Sequence, residues 1–401
     1  MFEFNNFFNT RSLKRFFSPT RIIMGQDSRN IIFDIISDKD RIAIIVDRFF
    51  DHREFIKRIY KQYPNSIIDK LVVKSEPDSF FINSNIKVSL KKIDYIIAIG
   101  GGSTIDTAKA IIAQKIYGHH CNIGYGEYRF VKPKNKSERP YFIALPTTAG
   151  TGSEVSRYYL ISDKKTKEKV VSRSWSVTPD FAILDPYFLD KSPQRILTLS
   201  AFDAFTHLWE TFICKHERSI FNDMIALDGI PLILKFIDKI QNKSIISDEI
   251  ILKMQYAATL GGIALSNVRT GIIHDAGEAL SAQTSLSHSE SLIIFFEQAI
   301  EQYLSVIGDR EEMLINRLKI TTPELKIHSV KDIVNYWKAV FEKQGICKDI
   351  KDIISKKRLD LERIINKILH DQVLINKESP ILLTPKMVED FIIKSLNKYQ
   401  K

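Results

Sequence analysis

The stretch DYIIAIGGGSTIDTAKAIIA, Asp94 to Ala113, constrains the fold more than any other part of the chain. Its uninterrupted apolar run is too short for a helix and reads as a strand buried on both faces. The run stops at Gly100, Gly101 and Gly102, and a helix is predicted to begin at once, with Ser103 and Thr104 as caps and Asp106 in its first turn. Glycines let a pyrophosphate approach the backbone, and the free N–H groups and positive dipole end of a helix bind its charge. The dinucleotide pattern GxGxxG is not met, because Ile105 stands at its third glycine, and the GK[ST] of a P-loop is absent. Alone, the turn reads equally well as a phosphate cradle and as a simple tight turn.

The same texture recurs from about residue 20 to 190 in RIIMG, RIAIIVD, KLVVK, YFIALPTT and FAILDP, short Ile- and Val-rich runs separated by stretches long enough for helices. Parallel strands joined by helical crossovers are the expected outcome. After Ser192-Pro193 the segments LSAFDAFTHLWETFIC, IALDGIPLILKFIDKI, EIILKMQYAATLGGIALSN and ESLIIFFEQAIEQYL carry apolar residues at three- and four-residue spacing, the mark of helices. With 401 residues, 44% of them hydrophobic, the chain has material for two domains. The predicted class is an α/β N-terminal nucleotide-binding domain with a parallel sheet, residues 1–192, plus an all-α C-terminal helical domain, residues 193–401. The opening MFEFNNFFNTRSLKRFFSP lacks the apolar core of a secretory signal and is read as an edge strand. KPKNKSERP, Lys132 to Pro140, is read as a surface loop.

The formal net charge of +10 does not make a nucleic-acid binder, because the basic residues are interleaved with acids in KSERP, SDKKTKEK and KKRLDLER. Attraction of anionic small molecules is the expected consequence. No apolar stretch approaches the ~20 residues that span a bilayer, so no membrane partner is expected. The 3 cysteines lie far apart without a CxxC pair, which fits a reducing cytoplasm and excludes a disulfide framework.

A second strand runs into small hydroxyl and glycine residues in ALPTTAGTGSEVS, offering Thr147, Thr148 and Thr151 to a nucleotide from a neighbouring strand end. Asp47 closes RIAIIVD, where a carboxylate either accepts from a ribose diol and repels a 2′-phosphate or caps the next helix. In the helical half, Asp203 and His207 are four apart and share a helix face; His274 follows Ile272 and Ile273, and His288 comes fourteen residues later. One aspartate with three imidazoles suits a divalent transition metal, Fe(II) or Zn(II), although each histidine taken singly is more often a hydrogen-bonded core or surface residue.

Together, GGGSTIDTAK, LPTTAGTGSEVS, D-x3-H and the two later histidines resemble the iron-containing alcohol dehydrogenases, which share the dehydroquinate synthase-like fold. The likeness runs from RIIMG to MVEDFIIKSL, nearly the whole chain. It implies that Gly101, Gly102, Ser103 and Asp106 form the pyrophosphate turn and that Thr147, Thr148 and Thr151 form a second nucleotide loop. It also implies that Lys169 contacts the cofactor, although alone Lys169 is one solvated charge beside Lys164, Lys165 and Lys167. Asp47 would favour NAD over NADP, and Asp203, His207, His274 and His288 would be the metal ligands. The implied reaction interconverts a primary alcohol and an aldehyde with NAD(H), the cation acting as Lewis acid, on a small-molecule substrate in a homo-oligomer, a dimer.

Two positions depart from the family pattern. Many relatives have a second histidine four residues after the first, where this chain has Glu278, which either takes over proton transfer, binds a substrate hydroxyl or amine, or only pairs with an arginine. Arg269 replaces a small residue; it either holds a substrate carboxylate or phosphonate or pairs with Glu278 or Asp275. VDRFF, the SEP of Ser75 to Pro77 and GTGSEVSR resemble the branch acting on octulosonic sugar acids, so a polar or anionic substrate is expected. The competing functions are a phosphonoaldehyde reductase of the same family, a dehydroquinate synthase-like cyclase, and a non-catalytic relative.

Overall fold

The computed structural model describes residues 16–84, 92–117, 139–163, 168–215, 218–242, 246–370, 376 and 379–400. Two compact units divide the chain: one holds Ser18–Ser192 with Ser247–Ser266, the other Pro193–Ile246 and the chain from Asn267.

The first unit is built on a six-stranded sheet in which every pair of neighbours is parallel. Its strands are β1 Arg21–Met24, β2 Ile42–Asp47, β3 Ile67–Val73, β4 Tyr95–Gly100, β5 Tyr141–Pro146 and, after a hairpin, β8 Phe181–Leu184. All six apolar runs singled out in the sequence are these strands. The middle of the sheet is dry, with Ile44, Ile45, Val46, Ile97, Ile99, Ile143 and Leu145 fully buried, which is why these runs are continuously apolar instead of alternating. The spatial order is β1-β8-β5-β4-β2-β3. From β2 the chain leaves for β3 on one side, and from β4 for β5 on the other. The crevice beyond the carboxyl ends of β2 and β4 is therefore a topological switch point, the place where open α/β sheets bind ligands.

Helices α1 Glu54–Gln62 and α2 Gly102–Tyr117 belong to this unit, α2 packing on β4. The helix starts earlier than the sequence predicts: Gly102 is already helical, and the N–H groups of Thr104 and Ile105 both donate to Gly101 O. Ser103 and Thr104 are first-turn residues, not caps, because a glycine without Cβ can end the strand and enter the helix with no intervening residue.

One feature escaped the sequence reading. An antiparallel hairpin, β6 Tyr158–Asp163 and β7 Glu168–Arg173, lies between β5 and β8. Of the edge strand expected over residues 1–19, residues 16–19 are irregular and residues 1–15 lie outside the described ones, as do residues 132–138 of the expected loop.

The second unit is helical: α3 Gln194–Ile213, α4 Ile220–Gln241, then, after α5 Asp248–Asn267, α6 Ile272–Ser281, α7 His288–Tyr303, α8 Gly308–Thr321, α9 Val330–Lys343, α10 Ile346–Ile354, α11 Leu361–His370 and α12 Pro385–Gln400. Helix α5 belongs with the sheet unit up to Ser266. It crosses the loop after β5 where Gly152 and Gly262 meet backbone to backbone, leaving no room for a Cβ on either, and Thr259 donates to the buried Glu154 at 2.7 Å. Helix α3 packs against α4 and α7, and α7 against α6, α9 and α12. Phe202, Phe296, Trp337 and Phe341 form the aromatic centre, with ring centroids 4.9–5.3 Å from that of Phe202 in edge-on arrangements.

Candidate metal centre and nucleotide loops

Helix α3 divides its faces by chemistry. At 100° per residue, Asp203, His207 and Glu210 fall within about 60° of arc, while Phe202, Phe205, Trp209 and Phe212 face away from them into the aromatic core. The polar face meets the first turns of α6, which brings His274, and of α7, whose first residue is His288. Three imidazole nitrogens converge on one carboxylate oxygen: Nε2 of His207 and of His274 each lie 3.8 Å from Asp203 Oδ1, and Nε2 of His288 lies 3.5 Å from it. The donor atoms of Asp203, His207 and His274 are all within 4.8 Å of one another, and all three residues are buried. His288 is the most open, with 29% of its side chain exposed.

These separations are too long for hydrogen bonds and suit ligands of one ion, since metal–ligand bonds of 2.0–2.1 Å in a tetrahedron set ligand atoms roughly 3.3–3.4 Å apart. Asp203 Oδ1 and His274 Nε2 are buried and have no hydrogen-bond partner. A carboxylate oxygen and an imidazole nitrogen left so, facing each other in a dry site, call for a shared partner, a proton or a metal ion. The residues present therefore fit a divalent metal.

Electrostatics agree. Burial alone would raise the Asp203 carboxyl, but the charges of His207, His274 and His288 outweigh it and hold it well below the usual carboxylate range. Burial would lower His274, yet the carboxylates of Asp203 and Glu210 raise it to about 10. Without metal, the imidazole is a cation held between two acids, and a metal must displace its Nε2 proton.

Glu210 is the residue sequence reasoning missed. Its Oε2 lies 2.6 Å from His274 Nδ1, and its Oε1 accepts the Ile273 N–H at 2.7 Å. The available signal was its position three residues after His207 on the same face.

Of the two departures, Arg269 is buried and donates to Asp275 Oδ1 at 2.8 Å, the ion-pair alternative left open by the sequence. Glu278 is half-buried on α6, one turn after His274.

The nucleotide residues lie at the carboxyl ends of the central strands. Register sets Gly100 beside Pro146 and Val46 beside Ile99, so the glycine turn, the threonine loop and Asp47 occupy three adjacent strand ends around the switch point. The two loops touch: a Cβ added at Gly101 would lie 3.1 Å from Thr148 Cγ2, and one at Gly102 2.8 Å from Thr151 Cγ2. Thr147 is buried, whereas Ser103, Thr148 and Thr151 are half-buried. Asp106 turns inward, accepting from Ser153 Oγ at 2.5 Å and from Leu160 N–H at 3.0 Å, so it ties the second loop to α2. Asp47 Oδ1 accepts the Phe49 N–H at 2.8 Å, capping its turn. Lys169, on β7, pairs with Glu76 at 2.7 Å.

A family model described as iron-containing alcohol dehydrogenase matches residues 19–186, and the model of that family's C-terminal part matches residues 198–395. The chain belongs to the iron-containing alcohol dehydrogenase family. It is 27% identical over 377 residues to an alcohol dehydrogenase of Thermococcus barophilus, covering 90% of this chain and 94% of that protein. It spans only about a third of the longer aldehyde-alcohol dehydrogenases it also matches. Among solved structures, the iron-containing alcohol dehydrogenase of Thermococcus thioreducens superposes with a TM-score of 0.75 at 23% identity, covering 96% of this chain and 100% of that one. The sulfoacetaldehyde reductase of Bifidobacterium kashiwanohense, solved in complex with NAD+, gives 0.78 at 20% identity, covering 96% and 98%. Both share the sheet-plus-helices architecture, as the sequence predicts.

Proposed function

We propose that this alcohol dehydrogenase family member interconverts a primary alcohol and an aldehyde with NAD(H), using a divalent metal held by Asp203, His207, His274 and His288, on a polar or anionic substrate such as a sugar acid. The observation that carries the reading is the convergence of three Nε2 atoms on an unpartnered Asp203 oxygen. When bound, a divalent cation there supplies a Lewis acid for the oxygen of an alcohol or carbonyl. The free N–H groups at the start of α2, reached past Gly101, Gly102 and Ser103, receive the pyrophosphate; Thr147, Thr148 and Thr151 line the neighbouring loop, and Lys169 and Asp47 contact the rest of the dinucleotide. Glu278, on the His274 face of α6, takes the alcohol proton. The purified chain is expected to carry close to one Fe or Zn and to oxidise alcohols with NAD, and His274→Ala to lose both properties. A metal-free preparation that still transfers hydride would overturn the reading.

Support for an anionic substrate comes from the fold shared with a reductase named for sulfoacetaldehyde; the buried Arg269 guanidinium stands five residues from His274 but is engaged by Asp275. If Arg269 serves the substrate, Arg269→Ala lowers turnover of sugar acids and sulfonated or phosphonated aldehydes but not of neutral alcohols. An equal loss on both classes assigns Arg269 to holding Asp275 alone. We further propose a homodimer, which sedimentation tests.

A further inference from the structure

Helix α6 brings no cap of its own. Its N-cap is Gly271, which has no side chain to offer, and the first N–H groups of a helix have no partner inside it. The partner comes from another helix: Glu210 of α3 accepts the Ile273 N–H with one oxygen and faces His274 Nδ1 with the other. Glu210 is 4% exposed, so both bonds are made out of water. Gly271 makes room for this. Its φ of −109° is open to any residue, so what glycine contributes is space: a Cβ there would lie 3.0 Å from Glu210 Oε1 and 3.6 Å from its Cδ, a contact that the carboxylate could relieve only by shifting.

A carboxylate only accepts hydrogen bonds, so an imidazole nitrogen 2.6 Å from it must carry a proton. With Nδ1 protonated, the other nitrogen of a neutral ring is the lone-pair donor, and that nitrogen is the one aimed at Asp203. We infer that Glu210, seated in the space left by Gly271, is a positioning residue that fixes the metal-competent tautomer of His274 while capping α6, so that the first turn of this helix and the affinity of the metal site are set by one carboxylate. The inference rests on the metal reading above.

Glu210→Gln separates the two tasks. An amide has one acceptor and one donor end; if its oxygen keeps the Ile273 N–H, its NH2 faces Nδ1 and selects the opposite tautomer, with the proton on Nε2. Zinc affinity of the full chain, read by competition with a chromogenic chelator, is expected to fall ~10–100-fold, the range for an outer-shell partner of a ligating histidine. The metal-free variant is expected to melt below the parent, because a buried charged set loses one of its partners, so the zinc affinity and not the melt decides. Parent-like zinc affinity overturns the inference, as does a lower melting temperature with unchanged affinity, which would make Glu210 a cap only. Should Glu210→Gln not fold, Gly271→Ala decides: it keeps the carboxylate but crowds Oε1, so it must weaken zinc binding, and unchanged affinity overturns the inference. A parent chain that binds no zinc, cobalt or iron is a different failure, that of the metal reading itself.

Discussion

Two buried polar clusters, one in each unit, use similar residues to opposite ends. In the sheet unit, Lys109 is fully buried on α2, and its Nζ donates to Ser153 Oγ at 2.7 Å, Ser156 Oγ at 3.1 Å and Tyr158 O at 2.7 Å, one acceptor for each N–H. Asp106, 3.8 Å away, has both oxygens engaged. In the helical unit, Asp203 Oδ1 and His274 Nε2 are equally dry and engage nothing. Burial of charge is common to both clusters; satisfaction is not. A closed network fixes backbone, here the loop after β5 against α2, whereas an open one marks the place of a missing partner.

The largest effects should come from exchanging these fates. Lys109→Met removes the cation that Ser153, Ser156, the Tyr158 carbonyl and the Asp106 carboxylate face in the interior, and breaking such a buried charge cluster costs about 3–5 kcal/mol. Urea unfolding should show that loss while the bound metal stays near the parent's. Asp203→Asn should do the reverse, keeping the folded circular dichroism spectrum and losing the metal. If Lys109→Met is as stable as the parent, or Asp203→Asn keeps its metal, the contrast between closed and open clusters is broken.

How much of this the sequence disclosed follows from range. The six strands were legible because burial on both faces leaves no polar residue inside them, and Asp203 with His207 because four residues make one helical turn. The hairpin was not, because YYLISD and EKVVS carry polar residues that blunt the apolar signal. Nor was the placement of α5: periodicity shows that a helix has an apolar face but not what covers it, and only Gly262, opposite Gly152, hinted at a close crossing. The metal ligands needed three helices to be brought together, so the motif combination carried that expectation and local pattern did not. Asp106 shows the limit of the motif, since its side chain serves the Lys109 network.

A smaller effect sharpens the reading of the two touching loops. In Gly102→Ala the new Cβ would sit 2.8 Å from Thr151 Cγ2, and relief requires the loops to part, an overpacking cost of about 1–3 kcal/mol. The Michaelis constant for NAD should rise with metal content unchanged. Adding Thr151→Ser removes the offending methyl and should restore affinity; a double variant as poor as the single one would mean that something other than this contact was disturbed.

The smallest effect is a pH slope. Burial pushes the Lys109 ammonium down to about 8, against the pull of Asp106 and Glu154, while in the unfolded chain it stays near 10.5. Below pH 8 the lysine is protonated in both states and contributes no slope. Between about 8 and 10.5 the unfolded chain binds more protons than the folded one, so this residue makes stability rise with pH, by up to ~1.4 kcal/mol per unit. Other lysines and tyrosines titrate there too, and the Lys109→Met variant carries all of them. The parent should therefore gain on the variant as pH climbs through that window. Parallel stability curves would mean that the buried ammonium holds its proton as firmly as in water, and that its three hydrogen bonds fully offset desolvation.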